Sequence, residues 1–322
     1  MKYALIDMGS NTIHMCVYEV IGTRSTKLFQ KKIAAGIASY VEDGNLSENG
    51  IKAAVDALRA FNQILNVLEI IDVDVFATAS LRNIDNQEEV LRKITLATGR
   101  RVEIVSGRQE GIFGYYGLVQ EIHPEKGYLV DIGGGSTEIT AFSQKGPMNS
   151  VSYPIGCLNI YKQNVNGHVI PTQKERTAIS ASISHAFEDV SYSERLGKRP
   201  TLYAVGGSAR AVKRLCNYYF GNDEDNTKLK RKQVRELRKY LEKKGQDRID
   251  LLIRYCPDRF HTIIPGMMIL EALSERMCAD SIEVASSGVR EGYLYNKIVN
   301  GLEDDTFETE LKVSGRTLAW TD

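Results

Sequence analysis

The sequence predicts an α/β protein built from two similar halves with a cleft between them. The first observation is that each half opens with an apolar strand ending in aspartate, a polar or glycine-rich turn and a returning strand, at residues 2–20 and 128–143. The second is that a strand-strand-strand-helix-strand-helix-strand-helix order runs through the first half and returns in the second. The third is the length of 322 residues, which suits two domains of ordinary size.

The elements of the first half follow from local patterns. Strands at 2–7 and 13–20 flank a short polar turn, and a third extended stretch lies at about 27–34. A helix comes next, because apolar residues recur at helical spacing after Ser47 or Asn49, either of which can be its N-cap. The remaining elements are a strand at 73–77, a helix opened by the capping-box pair Asp85 and Glu88 and ended by Gly99, a strand at 102–105, and a helix opened by Ser106 and Gln109.

The second half repeats this order around a helical insert. Its elements are a strand at 128–131, a glycine-rich turn at 132–136, strands at 137–143 and 149–154, a helix opened by Thr172 and Glu175 that runs to about 190, a strand at 201–205, a helix at 208–219, a strand at 282–285 and a helix at 289–300. The insert at about 230–279 carries charges of alternating sign, which favours a solvated helix face over a nucleic-acid patch.

The domain limits follow from a short polar linker at 123–126. We predict an N-terminal domain at 1–123 and a C-terminal domain at 124–300, with the helix at about 289–300 packing back on the first domain and a tail at 301–322.

Composition excludes several classes of protein. The chain has 41 basic and 41 acidic residues, so a broad nucleic-acid or membrane-surface binder is not expected. No apolar run is long enough to span a membrane. The five cysteines are scattered, without metal-ligand spacing, which indicates mostly buried, inert thiols and a cytoplasmic protein.

The segment from Asp131 to Glu138 carries the clearest chemical signal. Consecutive glycines let several backbone N–H groups approach one anion, and hydroxyls add further donors. The flanking Asp131 and Glu138 are hard oxygen ligands that suit Mg²⁺. The alternative is a plain glycine-rich hairpin. The predicted phosphate-binding residues of this loop are Gly133, Gly134, Gly135, Ser136 and Thr137.

Other segments offer further phosphate contacts or catalytic groups. The turn with Asp7, Gly9, Ser10 and Asn11 holds the equivalent position in the first half, although alone it could be an ordinary Asx-rich turn. Gly206, Gly207 and Ser208 lie between a strand and a helix N-terminus, where they could bind phosphate or simply allow packing. Glu110 is a helix-dipole partner or a general base, and Arg82 is a phosphate contact or a surface ion pair.

Taken together, these segments resemble the exopolyphosphatase and guanosine pentaphosphate phosphohydrolase (Ppx/GppA) family of the actin, sugar kinase and Hsp70 superfamily. The matching pieces are residues 7–11, 77–82, 104–110, 131–138, 206–208 and 287–292, in family order. The resemblance implies a duplicated ribonuclease-H-like (actin-like ATPase) fold with an interdomain cleft. It also implies Mg²⁺-dependent release of terminal phosphate from inorganic polyphosphate, and it is compatible with a homodimer.

The resemblance assigns roles to individual residues. It implies that Glu110 is the catalytic base, that Asp131 and Glu138 hold the metal, that the three loops cradle phosphate and that Arg82 contacts the phosphate chain. The chain departs from the family at Gln109-Glu110-Gly111, where Glu-Glu-Ala is common, and at Asn159, where an arginine is usual.

Three alternatives to an exopolyphosphatase stay open. They are a pppGpp 5'-phosphohydrolase using the same loops, a kinase-like or actin-like ATPase, and a non-catalytic sensor that binds polyphosphate or an alarmone.

Overall fold

The computed structural model describes residues 1–22, 24–191, 193, 196–243 and 245–297. They group into two compact units, and the division falls between Glu110 and Gly111 in the chain. Each unit contains a mixed sheet and helices, so the predicted α/β class is confirmed.

The first unit is built on a five-stranded sheet. Its elements are β1 (Lys2–Met8), β2 (Ile13–Ile21), β3 (Arg24–Ile33), a 3-10 turn (Ile37–Tyr40), the two-residue strands β4 (Val41–Glu42) and β5 (Asn45–Leu46), α1 (Glu48–Val67), β6 (Val73–Ala77), α2 (Ala79–Arg82), α3 (Gln87–Thr98) and β7 (Val102–Ile104). The strand order is β3-β2-β1-β6-β7, with the pairs from β3 to β1 antiparallel and those from β1 to β7 parallel. The apolar stripe of α1 is buried on this sheet.

The second unit contains a six-stranded sheet. After α4 (Gly107–Glu121), which starts before the division, come β8 (Lys126–Ile132), β9 (Thr137–Ser143), β10 (Gly146–Tyr153), α5 (Cys157–Asn164), α6 (Gln173–Ala186), β11 (Leu202–Val205), α7 (Gly206–Phe220), β12 (Lys228–Lys230), α8 (Arg231–Leu241), α9 (Gln246–Tyr255), a 3-10 turn (Pro257–Arg259), α10 (Ile263–Arg276), β13 (Ser281–Val284) and α11 (Val289–Tyr295). The strand order is β10-β9-β8-β11-β13-β12.

The two sheets share the arrangement of their first five places. In each, three antiparallel strands are followed by two parallel ones, and the third, second and first strands in chain order precede the fourth. The fifth place is taken by β7 in the first sheet and by β13 in the second, where β12 pairs beyond β13 at the edge. The registers also agree, because Asp7 lies opposite His14 on β1 and β2, and Asp131 lies opposite Glu138 on β8 and β9. Position 7 of the first hairpin therefore corresponds to position 131 of the second.

Two of the predicted capping boxes form as expected. Thr172 and Glu175 exchange hydrogen bonds at the start of α6. Ser106 and Gln109 do the same at the start of α4, at 2.9 and 3.2 Å. Gln109, which stands where the family commonly has a glutamate, is therefore used as a cap.

Other predicted boundaries were wrong. The box of Asp85 and Glu88 does not form, since α3 begins at Gln87 after Asn86, while the N–H of Asp85 donates to the carbonyl of Gly44. Helix α7 begins at Gly206 instead of Ser208, directly after Val205, the last residue of β11. In α6 the helix ends at Ala186, before the predicted residue 190.

The domain limits of 1–123 and 124–300 stay a prediction. They assign α4 to the first domain, whereas most of α4 belongs to the second compact unit. Tyr115 and Leu118 of α4 are buried with Leu129, Phe142 and Tyr203 of the second unit. The predicted end of the last helix and the tail at 301–322 lie outside the described residues.

Two remaining expectations concern membranes and thiols. Across the described ranges, each helix is too short or too polar to cross a bilayer. Four of the five cysteines are buried, and burial raises the pKa values of Cys216 and Cys256 to about 12, so the expected inert thiols are confirmed there. Cys278 is exposed, which agrees with the expectation that most of the thiols, and not all of them, are buried.

Candidate active site

The glycine-rich turn between β8 and β9 is tied to the start of α5 through its carbonyl groups. The carbonyl of Gly133 accepts a hydrogen bond from the N–H of Cys157 at 2.9 Å. The carbonyl of Gly134 accepts from the next two N–H groups of the helix at 2.9 and 3.0 Å. The carbonyl of Gly135 accepts from Nδ2 of Asn159 at 2.9 Å. Three consecutive carbonyl groups therefore point toward α5.

The direction of these carbonyls fixes the direction of the amides. A trans peptide group is planar, so its N–H points opposite to its C=O, and every described peptide bond is trans. The N–H groups of Gly134, Gly135 and Ser136 consequently point away from α5. Successive N–H groups in a turn form a concavity that binds anions. A Cβ at Gly156 would lie 2.5 Å from the Gly134 carbonyl oxygen, so this close approach requires glycine.

The turn between β1 and β2 is constructed in the same way. The N–H of Gly9 donates to the carbonyl of Thr12 at 3.2 Å, as the N–H of the corresponding glycine does in the second unit at 2.9 Å. The carbonyls of Ser10 and Asn11 each accept at 2.9 Å from N–H groups in the segment 36–38. The N–H groups of Asn11 and Thr12 therefore point away from that segment. The sequence predicted the turn but gave no sign of its partner segment.

Asp131 and Glu138 lie in one row across the second sheet. Asp131 is opposite Glu138, and Glu138 is opposite Ser152 on β10. Side chains directly opposite on antiparallel strands project from the same face. Glu138 is buried, and its Oε1 accepts a hydrogen bond from the Ser152 hydroxyl at 2.7 Å. The register thus brings together the two predicted metal ligands.

This pair of carboxylates fits a magnesium ion whose other ligands are waters and phosphate oxygens. Mg²⁺ is usually held by one or two carboxylates, with waters and phosphate oxygens completing the shell. Among the residues that the structure describes, no three or more His, Cys, Asp and Glu side chains gather as a metal cage. Asp131 and Glu138, at the two ends of an amide-lined turn, match the sparse donor set that Mg²⁺ uses with phosphates.

Three arginines near Asp131 were missed by the sequence reasoning. Burial raises the pKa of the Asp131 carboxyl, while Arg210, Arg290 and Arg259 act in the opposite direction. Burial lowers the pKa of Arg210, and the neighbouring Arg290 cation lowers it further. Three guanidinium groups around one buried carboxyl suit an anion with several oxygens. Arg290 lies within the family-like segment 287–292, and Arg210 lies two residues after the segment 206–208. Arg259 belongs to the insert, and only the fold brings it close to Asp131.

The Gly206-Gly207 segment lies against Asp131 and one of these arginines. Gly206 has a φ of +84°, and a Cβ there would lie 2.1 Å from Oδ1 of Asp131. A Cβ at Gly207 would lie 2.2 Å from Nη2 of Arg259. The two glycines therefore allow close approach of a carboxylate and a guanidinium to the start of α7.

Two predicted hydroxyl donors are engaged within the protein. The hydroxyl of Thr137 donates to the carbonyl of Ile155 at 2.6 Å, and Thr137 is fully buried. The Ser208 hydroxyl lies 3.6 Å from Sγ of Cys157 and is also buried. Their direct contact with phosphate stays a prediction.

Glu110 and Arg82 form an ion pair in the first unit. Nη1 of Arg82 donates to Oε2 of Glu110 at 2.9 Å and to the carbonyl of Val105 at 3.0 Å. The two side chains are 15% and 11% exposed, so the pair is shielded from most solvent. The ionised carboxylate is the form of a glutamate that accepts a proton. Arg82 orients Glu110 here, and its predicted contact with phosphate stays a prediction.

These features define an α/β protein with a glycine-rich turn whose amides point away from α5 and which is flanked by two carboxylates. A family model described as the Ppx/GppA phosphatase family matches residues 20–300. The chain therefore belongs to the Ppx/GppA phosphatase family, and the predicted hydrolase of phosphoanhydride bonds is confirmed as a class.

Individual relatives agree with this membership. A Haemophilus influenzae protein named "Putative exopolyphosphatase" is 27% identical over 303 residues, which cover 92% of this chain and 91% of that protein. A guanosine-5'-triphosphate,3'-diphosphate pyrophosphatase of Photobacterium profundum is 29% identical over 316 residues, which cover 96% of this chain but 62% of that protein.

Solved structures show the same fold. A crystal structure of an exopolyphosphatase from Cytophaga hutchinsonii matches with a TM-score of 0.82 at 20% identity, covering 94% of this chain and 99% of the other. The Ppx/GppA family member of Aquifex aeolicus matches with a TM-score of 0.76 at 22% identity, with the same coverage. At these identities the likeness concerns the fold alone.

Proposed function

We propose that the protein is an Mg²⁺-dependent exopolyphosphatase that releases terminal orthophosphate from inorganic polyphosphate. The observation that carries the proposal is the row of amides at Gly134, Gly135 and Ser136, turned away from α5 between Asp131 and Glu138. A polyphosphate end is an anion rich in oxygens, and this turn offers donors for several of them. The proposal includes the duplicated ribonuclease-H-like fold, its interdomain cleft and a cytoplasmic location; a homodimer is compatible with it.

In the proposed reaction, different residues of this chain position the substrate, stabilise its charge and transfer the proton. The turn amides and the arginines near Asp131 hold the phosphate oxygens, which bear the charge of the transition state. Asp131 and Glu138 would hold Mg²⁺, which when bound neutralises charge on the phosphate oxygens.

Glu110 accepts a proton from the attacking water while Arg82 keeps its carboxylate oriented. The oxygen of that water forms a bond to the terminal phosphorus, and the bond from this phosphorus to the bridging oxygen breaks. The shortened polyphosphate leaves with that bridging oxygen, and Glu110 returns its proton to solvent.

A pppGpp 5'-phosphohydrolase is the second candidate, favoured by the similarity to the Photobacterium profundum pyrophosphatase over 96% of this chain. Both reactions attack a terminal phosphorus, so the same residues would serve. The relative rates on the two substrates decide between them.

The test is release of orthophosphate from tripolyphosphate, long-chain polyphosphate and pppGpp, with Mg²⁺ and with a chelator. Glu110→Gln should lose about 10² to 10⁴ in rate while it retains binding. Glu125→Gln makes the same chemical change at an exposed loop position and should behave as the native chain. Full activity in Glu110→Gln would refute the base assignment. Binding without release in the native chain would favour the sensor alternative.

A further inference from the structure

We propose that Asn159 is a positioning residue that sets the direction of the third amide in the phosphate-binding turn. The inference rests on the proposed function, because it assigns to Asn159 the geometry of the turn that would bind polyphosphate. It concerns a residue that differs from the arginine usual at this position in the family.

The carboxamide of Asn159 uses both of its polar atoms. Nδ2 donates to the carbonyl of Gly135 at 2.9 Å and to that of Pro154 at 3.2 Å. Oδ1 accepts from the N–H of Gly156 at 2.7 Å, just before α5. The side chain therefore joins the glycine-rich turn, the end of the preceding strand and the start of the helix.

The three peptide groups of the turn are not held in the same way. The carbonyls of Gly133 and Gly134 accept from backbone N–H groups at the start of α5, which any residue except proline would supply. The carbonyl of Gly135 accepts from a side chain, that of Asn159. The direction of the Ser136 N–H thus depends on the identity of residue 159, whereas the two preceding amides do not depend on it.

The position requires a donor and an acceptor at once. An amide side chain offers both, an arginine offers donors alone, and an ionised aspartate offers acceptors alone. An arginine at this position could not accept from the N–H of Gly156, because a guanidinium has no acceptor. Asparagine therefore orients the turn without adding a positive charge to it.

The experiment compares Asn159→Ala and Asn159→Asp with the control Asn164→Ala. Asn164 lies on the same helix, and its Nδ2 donates at 2.9 Å to the carbonyl of Ile160 within that helix. We expect the KM for tripolyphosphate to rise about tenfold in Asn159→Ala, with kcat changed less than about threefold, because one oriented donor is lost. Asn159→Asp should raise KM further, since its charge repels the anion. Asn164→Ala should match the native chain.

Hydrogen exchange of the peptide covering 131–137, without substrate, gives a readout independent of activity. It should be faster in Asn159→Ala than in Asn164→Ala. Should Asn159→Ala fail to fold, Asn159→Asp, which has the same shape, replaces it in both measurements. A native KM in folded Asn159 variants, or a kcat loss with unchanged KM, would overturn the inference. If the native chain acts on no polyphosphate, the proposed function fails, and exchange alone decides: faster exchange supports the positioning role, and equal exchange overturns it.

Discussion

Replacing Gly206 by alanine tests whether the start of α7 determines the position of Asp131. The added Cβ would lie 2.1 Å from Oδ1 of Asp131, whereas ordinary contacts begin at 3.4 Å, so the carboxylate would have to move by about 1.3 Å. A misplacement of about 1 Å in a catalytic site can cost roughly 100-fold in rate, or about 2.7 kcal/mol. We therefore expect kcat/KM for polyphosphate to fall about 100-fold.

The same substitution at the other end of the helix separates this effect from backbone strain. Gly206 has a φ of +84° and Gly221 a φ of +65°, but a Cβ at Gly221 would meet no atom within 4 Å. Both alanine variants should lose about 1–2 kcal/mol of stability from the left-handed conformation. Only Gly206→Ala should lose activity. Urea unfolding and phosphate release measure the two quantities, and native activity in Gly206→Ala, or equal losses in the two variants, would refute the reasoning.

Three further predictions concern stability and loop anchoring. Hydrogen bonds from backbone N–H groups lower the pKa of Glu175 to about 2, so Glu175→Gln should melt below the native chain above pH 4.5, and this difference should shrink as the pH falls toward 2. The carboxylate of Glu121 accepts hydrogen bonds from the N–H groups of Ser286 and Ser287, in the segment that leads into Arg290. Because Glu121→Ala removes this anchor, it should raise the KM for polyphosphate about fivefold while urea unfolding stays nearly native. A Cβ at Gly117 would lie 2.1 Å from the carbonyl oxygen of Gly288, so Gly117→Ala should lose about 1–3 kcal/mol in urea unfolding, whereas Gly114→Ala, 3.2 Å from a flexible leucine, should be near neutral.

Local chemistry made the turns and several helix starts predictable. Asp131, the glycines after it and Glu138 are adjacent in the chain, so their residue types reveal the turn without any knowledge of the fold. The reciprocal bonds of Thr172 and Glu175 also involve neighbours alone. The repeated strand order was visible because each strand carries its own apolar pattern.

Features that depend on distant segments could not be predicted. Arg259 lies 52 positions after Gly207, and only the packing of the insert brings its guanidinium there. Asn159 seemed a departure from a family pattern, and its role is visible only from the carbonyl of Gly135. The failed box at Asp85 has the same cause, because the N–H of Asp85 is used by Gly44 of a different segment.

Under the proposed function, the two hairpins of matching register would serve different purposes. In the first unit the row across the strands is Asp7, His14 and Lys32, so its single acid is matched by a lysine. In the second unit the row is Asp131, Glu138 and a serine, which leaves two carboxylates and no cation within the row. A divalent cation is attracted to the second row far more than to the first, although both turns present backbone amides. Under the proposed function, differences at two register positions would therefore be enough to separate a hairpin that binds the metal from one suited to phosphate alone.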